Sequence, residues 1–138
     1  MKLLLASKEK FLIKKGYSLL NIPKDKLRIG YINTALKVVE ETEYLAYMKE
    51  YEEEMVKNNI YFERFDIKDK AEKEIREFFA DKNVIQVSGG NPFYLLKTVY
   101  ESGFDKILKD LLNDGLCYIG CSSGSYIMCP TIEVGGWK

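Results

Sequence analysis

Short apolar segments alternate along this chain with longer amphipathic ones. The apolar segments are about four to six residues long, a length typical of buried strands, and they predict strands at residues 3–6, 27–32, 60–65, 84–87 and 117–119. Because residues 3–6 are apolar throughout, we expect this first strand to be buried on both faces of its sheet.

The segments between these strands carry apolar residues at helical spacing. They predict helices at residues 9–20, 35–58 (with Thr34 as its N-cap), 69–80, 93–100 and 104–113. Nothing in the pattern resembles a hairpin. Strands that alternate with helices predict right-handed crossovers and a parallel sheet covered on both faces. In such a sheet, ligands bind at the carboxyl ends of the strands.

The 138 residues fit a single α/β domain. Lys and Arg together number 21, as do Asp and Glu, so the net charge is zero. An electroneutral chain lacks the basic excess of nucleic-acid-binding proteins, so we expect no nucleic-acid partner. The first apolar run ends at Lys8, too early for a signal peptide, and no run approaches a membrane span. These features favour a cytoplasmic protein without a membrane partner.

The three cysteines all lie late in the chain, at Cys117, Cys121 and Cys129. An odd number of cysteines in a chain without an export signal indicates free thiols in a reducing compartment. The chain has no histidine and no Cys-x-x-Cys pair, so we expect neither a metal nor a cofactor.

The segment with the most chemical content runs from Gly120 to Gly124. It places Ser122 two residues from each glycine, directly after an apolar strand. This Gly-x-Ser-x-Gly spacing is typical of a nucleophile elbow, in which a sharp strand-to-helix turn projects the serine hydroxyl from the sheet edge. The same spacing also fits a tight turn without chemistry, and the pattern alone leaves both interpretations open.

A second glycine loop, Gly89-Gly90-Asn91, follows the fourth predicted strand. We expect it at the same sheet edge as Ser122, where the N–H groups of Gly90 and Ser123 could form an oxyanion hole. Gly89 and Asn91 would then belong to a substrate loop. The plainer interpretation is an ordinary turn in which Asn91 caps a helix that begins at Pro92. The two interpretations are compatible.

Both loops carry a family resemblance. Residues 87–96 resemble the Gly-Gly-Asn-Thr-Phe-x-Leu-Leu segment of the peptidase E family, which includes aspartyl dipeptidases and cyanophycinases. Residues 118–125, followed by Pro-Thr-Ile at 130–132, resemble that family's serine elbow. The resemblance implies a three-layer α/β/α sandwich with a mostly parallel, flavodoxin-like sheet, similar to class I glutamine amidotransferases. It also implies Ser122 as the nucleophile, with Gly90 and Ser123 as the oxyanion donors.

The sequence departs from the family in two ways. Family members place their catalytic histidine and its acidic partner further along than residue 138, which indicates that these residues form the N-terminal part of a longer domain. The residue after Pro-Thr-Ile is arginine in the aspartyl dipeptidases but Glu133 here, so the resemblance does not extend to a preference for N-terminal aspartate.

We therefore expect a serine peptidase of short peptides that lacks part of its catalytic triad. The alternative is an inactive homologue that binds a small ligand or has a structural role. An amidotransferase-like or chaperone-like relative acting through Cys121 is disfavoured, because this cysteine stands one residue before the elbow position. If strands after the elbow are missing, apolar surface between Tyr126 and Trp137 would be exposed, which predicts a homodimer.

Overall fold

The computed structural model describes residues 2–132 of the chain. Its strands are β1 (Lys2–Ala6), β2 (Ile29–Ile32), β3 (Phe62–Phe65), β4 (Val84–Val87) and β5 (Cys117–Cys121). Its α-helices are α1 (Lys10–Lys14), α2 (Thr42–Lys57), α3 (Glu72–Phe79), α4 (Pro92–Ser102), α5 (Phe104–Asn113) and α6 (Ser123–Tyr126). Short 3-10 helices lie at Gly16–Leu20, Lys24–Lys26 and Thr34–Val38.

The strands form one parallel sheet in the order β1-β5-β4-β2-β3. Parallel strands end at the same edge, so the loops after all of them meet there. Because β4 and β5 are neighbours and Val87 pairs with Gly120, the two glycine-containing loops lie side by side. The sequence prediction of a shared edge for these loops is confirmed.

Helices cover both faces of the sheet. One buried cluster joins α3, α4 and α5 to one face, around Phe79, Leu95 and Phe104. The other joins α1 and α2 to the opposite face, around Leu12, Tyr51 and Met55. Each face therefore has its own apolar core. The predicted three-layer α/β/α fold is confirmed.

The central strand β4 carries a polar residue at its middle, Gln86, which is fully buried. Its side-chain oxygen accepts a hydrogen bond of 2.7 Å from the Tyr17 hydroxyl. Its amide donates a bond of the same length, 2.7 Å, to the Tyr51 hydroxyl. A buried amide is tolerated when both of its ends are paired, and here it links α2 and the first 3-10 helix to the sheet.

The prediction of a long helix from residue 35 is wrong for the first turns of that helix. Thr34–Val38 is a 3-10 helix, and Val39 and Glu41 are extended before α2 begins at Thr42. Thr34 does not cap a helix. Its hydroxyl donates to the Asp66 carboxylate at 2.9 Å and accepts the N–H of Ile67 at 3.1 Å. A tertiary contact with the loop after β3 thus replaces the local cap.

The prediction that the first strand is buried on both faces is also wrong. β1 lies at the sheet edge, and Leu3 and Leu5 are 44% and 47% exposed. The apolar run still forms a strand, because its other side pairs with β5. The homodimer stays a prediction, and Trp137, at the far end of its proposed interface, lies outside the described residues.

Candidate active site

Ser122 occupies the junction between β5 and α6. Its backbone has φ 50° and ψ −107°, a combination that few non-glycine residues adopt. A Cβ atom on Gly120 would collide with the carbonyl oxygen of Gly124, and one on Gly124 with that of Val87. The two glycines are thus required by the close approach of backbone segments around Ser122.

Hydrogen bonds hold this turn in place. The Ser122 N–H donates to Ala6 O at 3.0 Å. The Ser125 hydroxyl lies 2.9 Å from Ala6 O and 2.8 Å from Gly120 O. The Tyr118 hydroxyl donates to Gly124 O at 2.7 Å from within the core. By contrast, the Ser122 side chain does not cap α6, so its hydroxyl is not used to hold the turn.

The loop after β4 packs directly against the Ser122 turn. Gly90 has φ 140°, and a Cβ atom there would collide with the carbonyl group of Ala35. The Ser123 hydroxyl donates to Gly90 O at 2.5 Å. Asn91 caps α4, since its side-chain oxygen accepts the N–H groups of Phe93 and Tyr94 at 3.0 Å each. The capping interpretation of Asn91 is confirmed.

Two backbone donors at this edge have no partner in the part of the chain that the structure describes. Within residues 2–132, neither the N–H of Gly90 nor that of Ser123 donates a hydrogen bond. Unpaired backbone N–H groups away from bulk water are rare, because each loses its hydration without compensation. Gly90 lines a pocket together with Ser122, and Ser123 follows Ser122 directly. The arrangement can therefore present two donors to an acceptor atom near the Ser122 hydroxyl.

Three small pockets meet at Ser122. One of about 210 Å³ lies toward Leu5 and Tyr126. A second of about 290 Å³ lies toward Glu9 and Tyr47. A third, of about 250 Å³, lies on the side of Gly90. The three pockets lie in a crevice between neighbouring strands. The crevice opens because β5 continues into α6 on one face of the sheet, whereas β1 continues into α1 on the other face.

The structure adds two residues that sequence reasoning missed, Glu9 and Tyr44. Glu9 is buried, and its carboxylate oxygen Oε1 accepts the N–H of Gly89 at 3.1 Å. Burial raises the pKa of the Glu9 carboxyl, partly offset by hydrogen bonds from its own amide and that of Gly89. The Tyr44 hydroxyl lies against Gly89, and burial raises its pKa, with a further contribution from the Glu9 charge.

Cys121 is unsuited to be the nucleophile. It belongs to β5 and is fully buried, and burial raises the pKa of its thiol well above its ordinary value, as does the nearby Glu9 charge. The reactive form of cysteine is the thiolate, which such a site disfavours. All three cysteines are free thiols, and the cytoplasmic location stays a prediction. Within residues 2–132, no helix has the length and apolar character needed to span a membrane.

Comparison with known proteins identifies the family of this chain. The model of peptidase family S51 matches residues 5–136, nearly the whole chain. The chain belongs to peptidase family S51. An uncharacterized peptidase of Pasteurella multocida (strain Pm70) is 30% identical over 105 residues, which cover 76% of this chain and 49% of that protein. Peptidase E of Escherichia coli (strain K12 / DH10B) is 43% identical over 50 residues, covering 36% of this chain and 22% of that protein.

A solved S51-like structure resembles the whole fold. The crystal structure of a candidate peptidase E from Listeria monocytogenes EGD-e superimposes with a TM-score of 0.83 at 28% identity, covering 96% of this chain and 64% of that chain. The S51 chain described here spans about half the length, 49%, of the Pasteurella relative. Glu133, where the resemblance to the aspartyl dipeptidases ends, lies outside the described residues.

Proposed function

We propose that this chain carries the nucleophile of a serine peptidase that hydrolyses short peptides, with Ser122 as the attacking residue. The observation that supports the proposal most is the strained backbone of Ser122, at φ 50° and ψ −107°, beside two N–H groups that have no partner among residues 2–132. Strain of this kind persists only where the surroundings impose it, and it concentrates at functional sites. Membership of family S51 points to the same reaction class.

In this proposal the Ser122 hydroxyl oxygen attacks the carbonyl carbon of the peptide bond. The bond between carbon and oxygen becomes a single bond, and the resulting oxyanion accepts hydrogen bonds from the N–H groups of Gly90 and Ser123. Gly89 and Asn91 form the wall of the substrate loop. Asn91 contributes through its backbone, because its side-chain oxygen is already used to cap α4.

The pockets around Ser122 favour a small substrate. Each has a volume between about 210 and 290 Å³, at or below the lower end of the range for sites that bind drug-sized molecules. A space of this size fits one or two amino-acid residues on either side of the serine. The site therefore favours dipeptides and other short peptides over folded proteins.

The attacking serine needs a base to accept its proton. The 138 residues contain no histidine, so a histidine base has to come from outside them. Loss of triad members costs on the order of 10⁴-fold in rate. We therefore expect negligible dipeptide hydrolysis by these residues alone, and slow labelling by serine-directed phosphonates.

Chemical rescue tests the proposal. Free imidazole can replace a missing histidine base, so adding it should accelerate fluorophosphonate labelling of the 138-residue chain, with the label mapped to Ser122 by mass spectrometry. Ser122→Ala should abolish the labelling. Ser18→Ala, which removes an exposed serine far from the site, is the matched control and should label as the unmodified chain does.

Labelling that stays absent with imidazole, or spreads over several serines, would contradict the proposal. A second variant covers the case in which imidazole does not reach the site. Ser122→Cys in a Cys129→Ser background places a cysteine at the turn, and in mildly alkaline buffer an accessible cysteine ionises to its reactive thiolate without a catalytic base. Rapid alkylation of that thiol by a peptidyl chloromethyl ketone is the expected result.

The second candidate function is a homologue without catalysis that binds a small ligand at the Ser122 pockets. The absence of histidine from the 138 residues favours it. The two candidates differ in one measurement: the binding protein would bind dipeptides by calorimetry but would remain unlabelled at Ser122 in the presence of imidazole.

A further inference from the structure

Glu9 is the one acidic residue of the described chain that is almost completely buried, with only 2% of its surface exposed. No lysine or arginine forms an ion pair with it within residues 2–132. Burying a carboxyl group without a partner of opposite charge costs free energy that packing does not return. A residue kept under these conditions calls for a local explanation.

The contacts of Glu9 supply that explanation. Its Oε1 atom accepts the N–H of Gly89 at 3.1 Å, a bond that joins the segment after β1 to the loop after β4. A Cβ atom built on Gly89 would stand 3.2 Å from Glu9 Oε1 and 3.3 Å from Ser122 Cβ. The carboxyl group and the serine therefore both lie against Gly89.

The loop requires anchors because two consecutive glycines have large conformational freedom. The Ser88 hydroxyl donates to Gly89 O at 3.0 Å, and the Ser123 hydroxyl donates to Gly90 O at 2.5 Å. Glu9 holds the N–H of Gly89, which belongs to the preceding peptide, between Ser88 and Gly89. The peptide between Gly89 and Gly90 is thus held through its own carbonyl, and the peptides before and after it are held by Glu9 and Ser123, so the three bonds together restrict the direction of the Gly90 N–H.

We propose that Glu9 is a positioning residue that orients the Gly90 N–H toward the oxyanion formed at Ser122. This proposal rests on the proposed function, because it assigns Glu9 a role in the same reaction. Glu9 acts through Gly89 and need not touch the substrate. Removing its acceptor oxygen should leave the loop free to rotate, so that the Gly90 N–H no longer points at the developing charge.

Two substitutions at one position separate the acceptor from the rest of the side chain. Glu9→Gln keeps a carbonyl oxygen that can accept the Gly89 N–H, whereas Glu9→Met has a similar length without that acceptor. The readout is the rate of imidazole-assisted fluorophosphonate labelling at Ser122. Removal of one oxyanion donor typically costs about 10²-fold or more, so a donor that is only misdirected should cost at least about tenfold.

We expect Glu9→Met to lower the labelling rate at least about tenfold and Glu9→Gln to lower it less than about threefold. Glu43→Met is the matched control, since Glu43 is exposed in the first turn of α2, and it should label as the unmodified chain does. A merely structural role for Glu9 would affect the Gln and Met variants alike, in proportion to their loss of folding stability.

Amide NMR shifts of Gly89 and Gly90 provide a measurement independent of labelling. Glu9→Met should move both resonances, and Glu9→Gln should leave that of Gly90 close to its original position. If Glu9→Met fails to fold, Glu9→Gln decides the matter. A labelling rate and a Gly90 amide shift close to those of the unmodified chain support the proposal, and the loss of both refutes it.

The two proposals fail in different ways. If Ser122 labels normally but Glu9→Met labels as fast as the unmodified chain, the positioning role is refuted and the proposed function stands. If the unmodified chain is labelled no faster than Ser122→Ala and the Ser122→Cys thiol is not alkylated either, the proposed function is refuted and the positioning role of Glu9 falls with it. The NMR shifts then report only whether Glu9 holds the loop.

Discussion

Two concave regions of the described chain differ in size and in how their polar groups are satisfied. A cavity of about 500 Å³ lies near the amino ends of β2 and β3, between Tyr17, Leu27 and Ile60. The three pockets at Ser122 are each smaller, between about 210 and 290 Å³. They lie at the carboxyl ends of β1, β4 and β5.

The two regions differ in how their polar groups are satisfied. In the large cavity, the Tyr17 hydroxyl is already bonded to Gln86, so it has a structural partner. At the other edge, Ser122 is strained, the N–H groups of Gly90 and Ser123 have no partner within residues 2–132, and Glu9 is buried without a cation. Backbone strain and unpaired donors, rather than cavity volume, are therefore the reasons to place the candidate site at the Ser122 edge.

The largest effect on folding is expected at the strained edge. Gly124→Ala would drive a methyl group into the carbonyl oxygen of Val87, and a backbone oxygen in a central strand cannot easily move. We expect a loss of about 3 kcal/mol in the free energy of unfolding, measured by urea denaturation. Gly103→Ala is the control: its Cβ meets no atom within 4 Å, and its φ of 75° should cost only about 1 kcal/mol. Equal losses would contradict the close-packing argument.

A somewhat smaller effect is expected at the large cavity. Leu27 is buried beside it, and Leu27→Ala should lower the free energy of unfolding by about 2 kcal/mol, because apolar contacts are lost and the cavity grows. The labelling rate at Ser122 should stay the same. A parallel loss of stability and labelling would show that the two regions are coupled.

The sequence predicted most of the fold because its signals are local. Periodicity located all five strands of the described chain, and the Gly-x-Ser-x-Gly spacing alone singled out Ser122. The failures came from contacts distant in sequence. The local sequence predicts Thr34 as a helix cap, but its hydroxyl forms hydrogen bonds with Asp66 and Ile67. The apolar residues of β1 predict a strand buried on both faces, but the strand order places β1 at the edge of the sheet.

The same limit explains why Glu9 was missed. It stands in a charged stretch between Lys8 and Lys10, which is typical of a solvated turn. Its burial depends on a bond to Gly89 and on its proximity to Tyr44, and no local pattern encodes either contact. Paired glycines mark where a loop must bend sharply, but they do not reveal which side chain holds it.

The pH dependence of stability tests the unusual condition of Glu9. Its carboxyl pKa is raised above the ordinary 4.5 by burial, so the folded state binds the proton more tightly than the unfolded state does. Stability should therefore fall as the pH rises from about 4.5 through the higher pKa of the folded state. Glu9→Gln removes the ionisation and should be more stable than the unmodified chain at neutral pH, with a smaller difference or none at acidic pH.

Urea denaturation of both proteins across that pH range measures the difference. The other ionisable groups around Glu9 do not contribute to this stability difference. Burial raises the pKa of Tyr44, Tyr47 and Cys121, so these groups stay neutral across the pH range measured. Lys8, which lines the same pocket, is present in both proteins. A Glu9→Gln advantage that is constant with pH would contradict the raised pKa.

The smallest effect on folding, but a change in assembly, is expected at β1. Leu3 and Leu5 are 44% and 47% exposed on the open edge of the sheet, and an open apolar edge favours pairing with another chain. Leu5 also lines a pocket with Ser122 and Tyr126, the first residue of the predicted dimer interface, so a second copy bound there would enclose the Ser122 edge and leave the large cavity open. Leu3→Lys combined with Leu5→Lys should change the free energy of unfolding by only about 0.5 kcal/mol, as exposed substitutions do. The same double substitution should convert a homodimer to a monomer, as measured by light scattering.

Val56→Lys, at an apolar position on α2 that is 65% exposed, is the control and should leave the mass unchanged. A mass of one chain before any substitution would refute the dimer and leave the Ser122 pockets open to solvent on the β1 side.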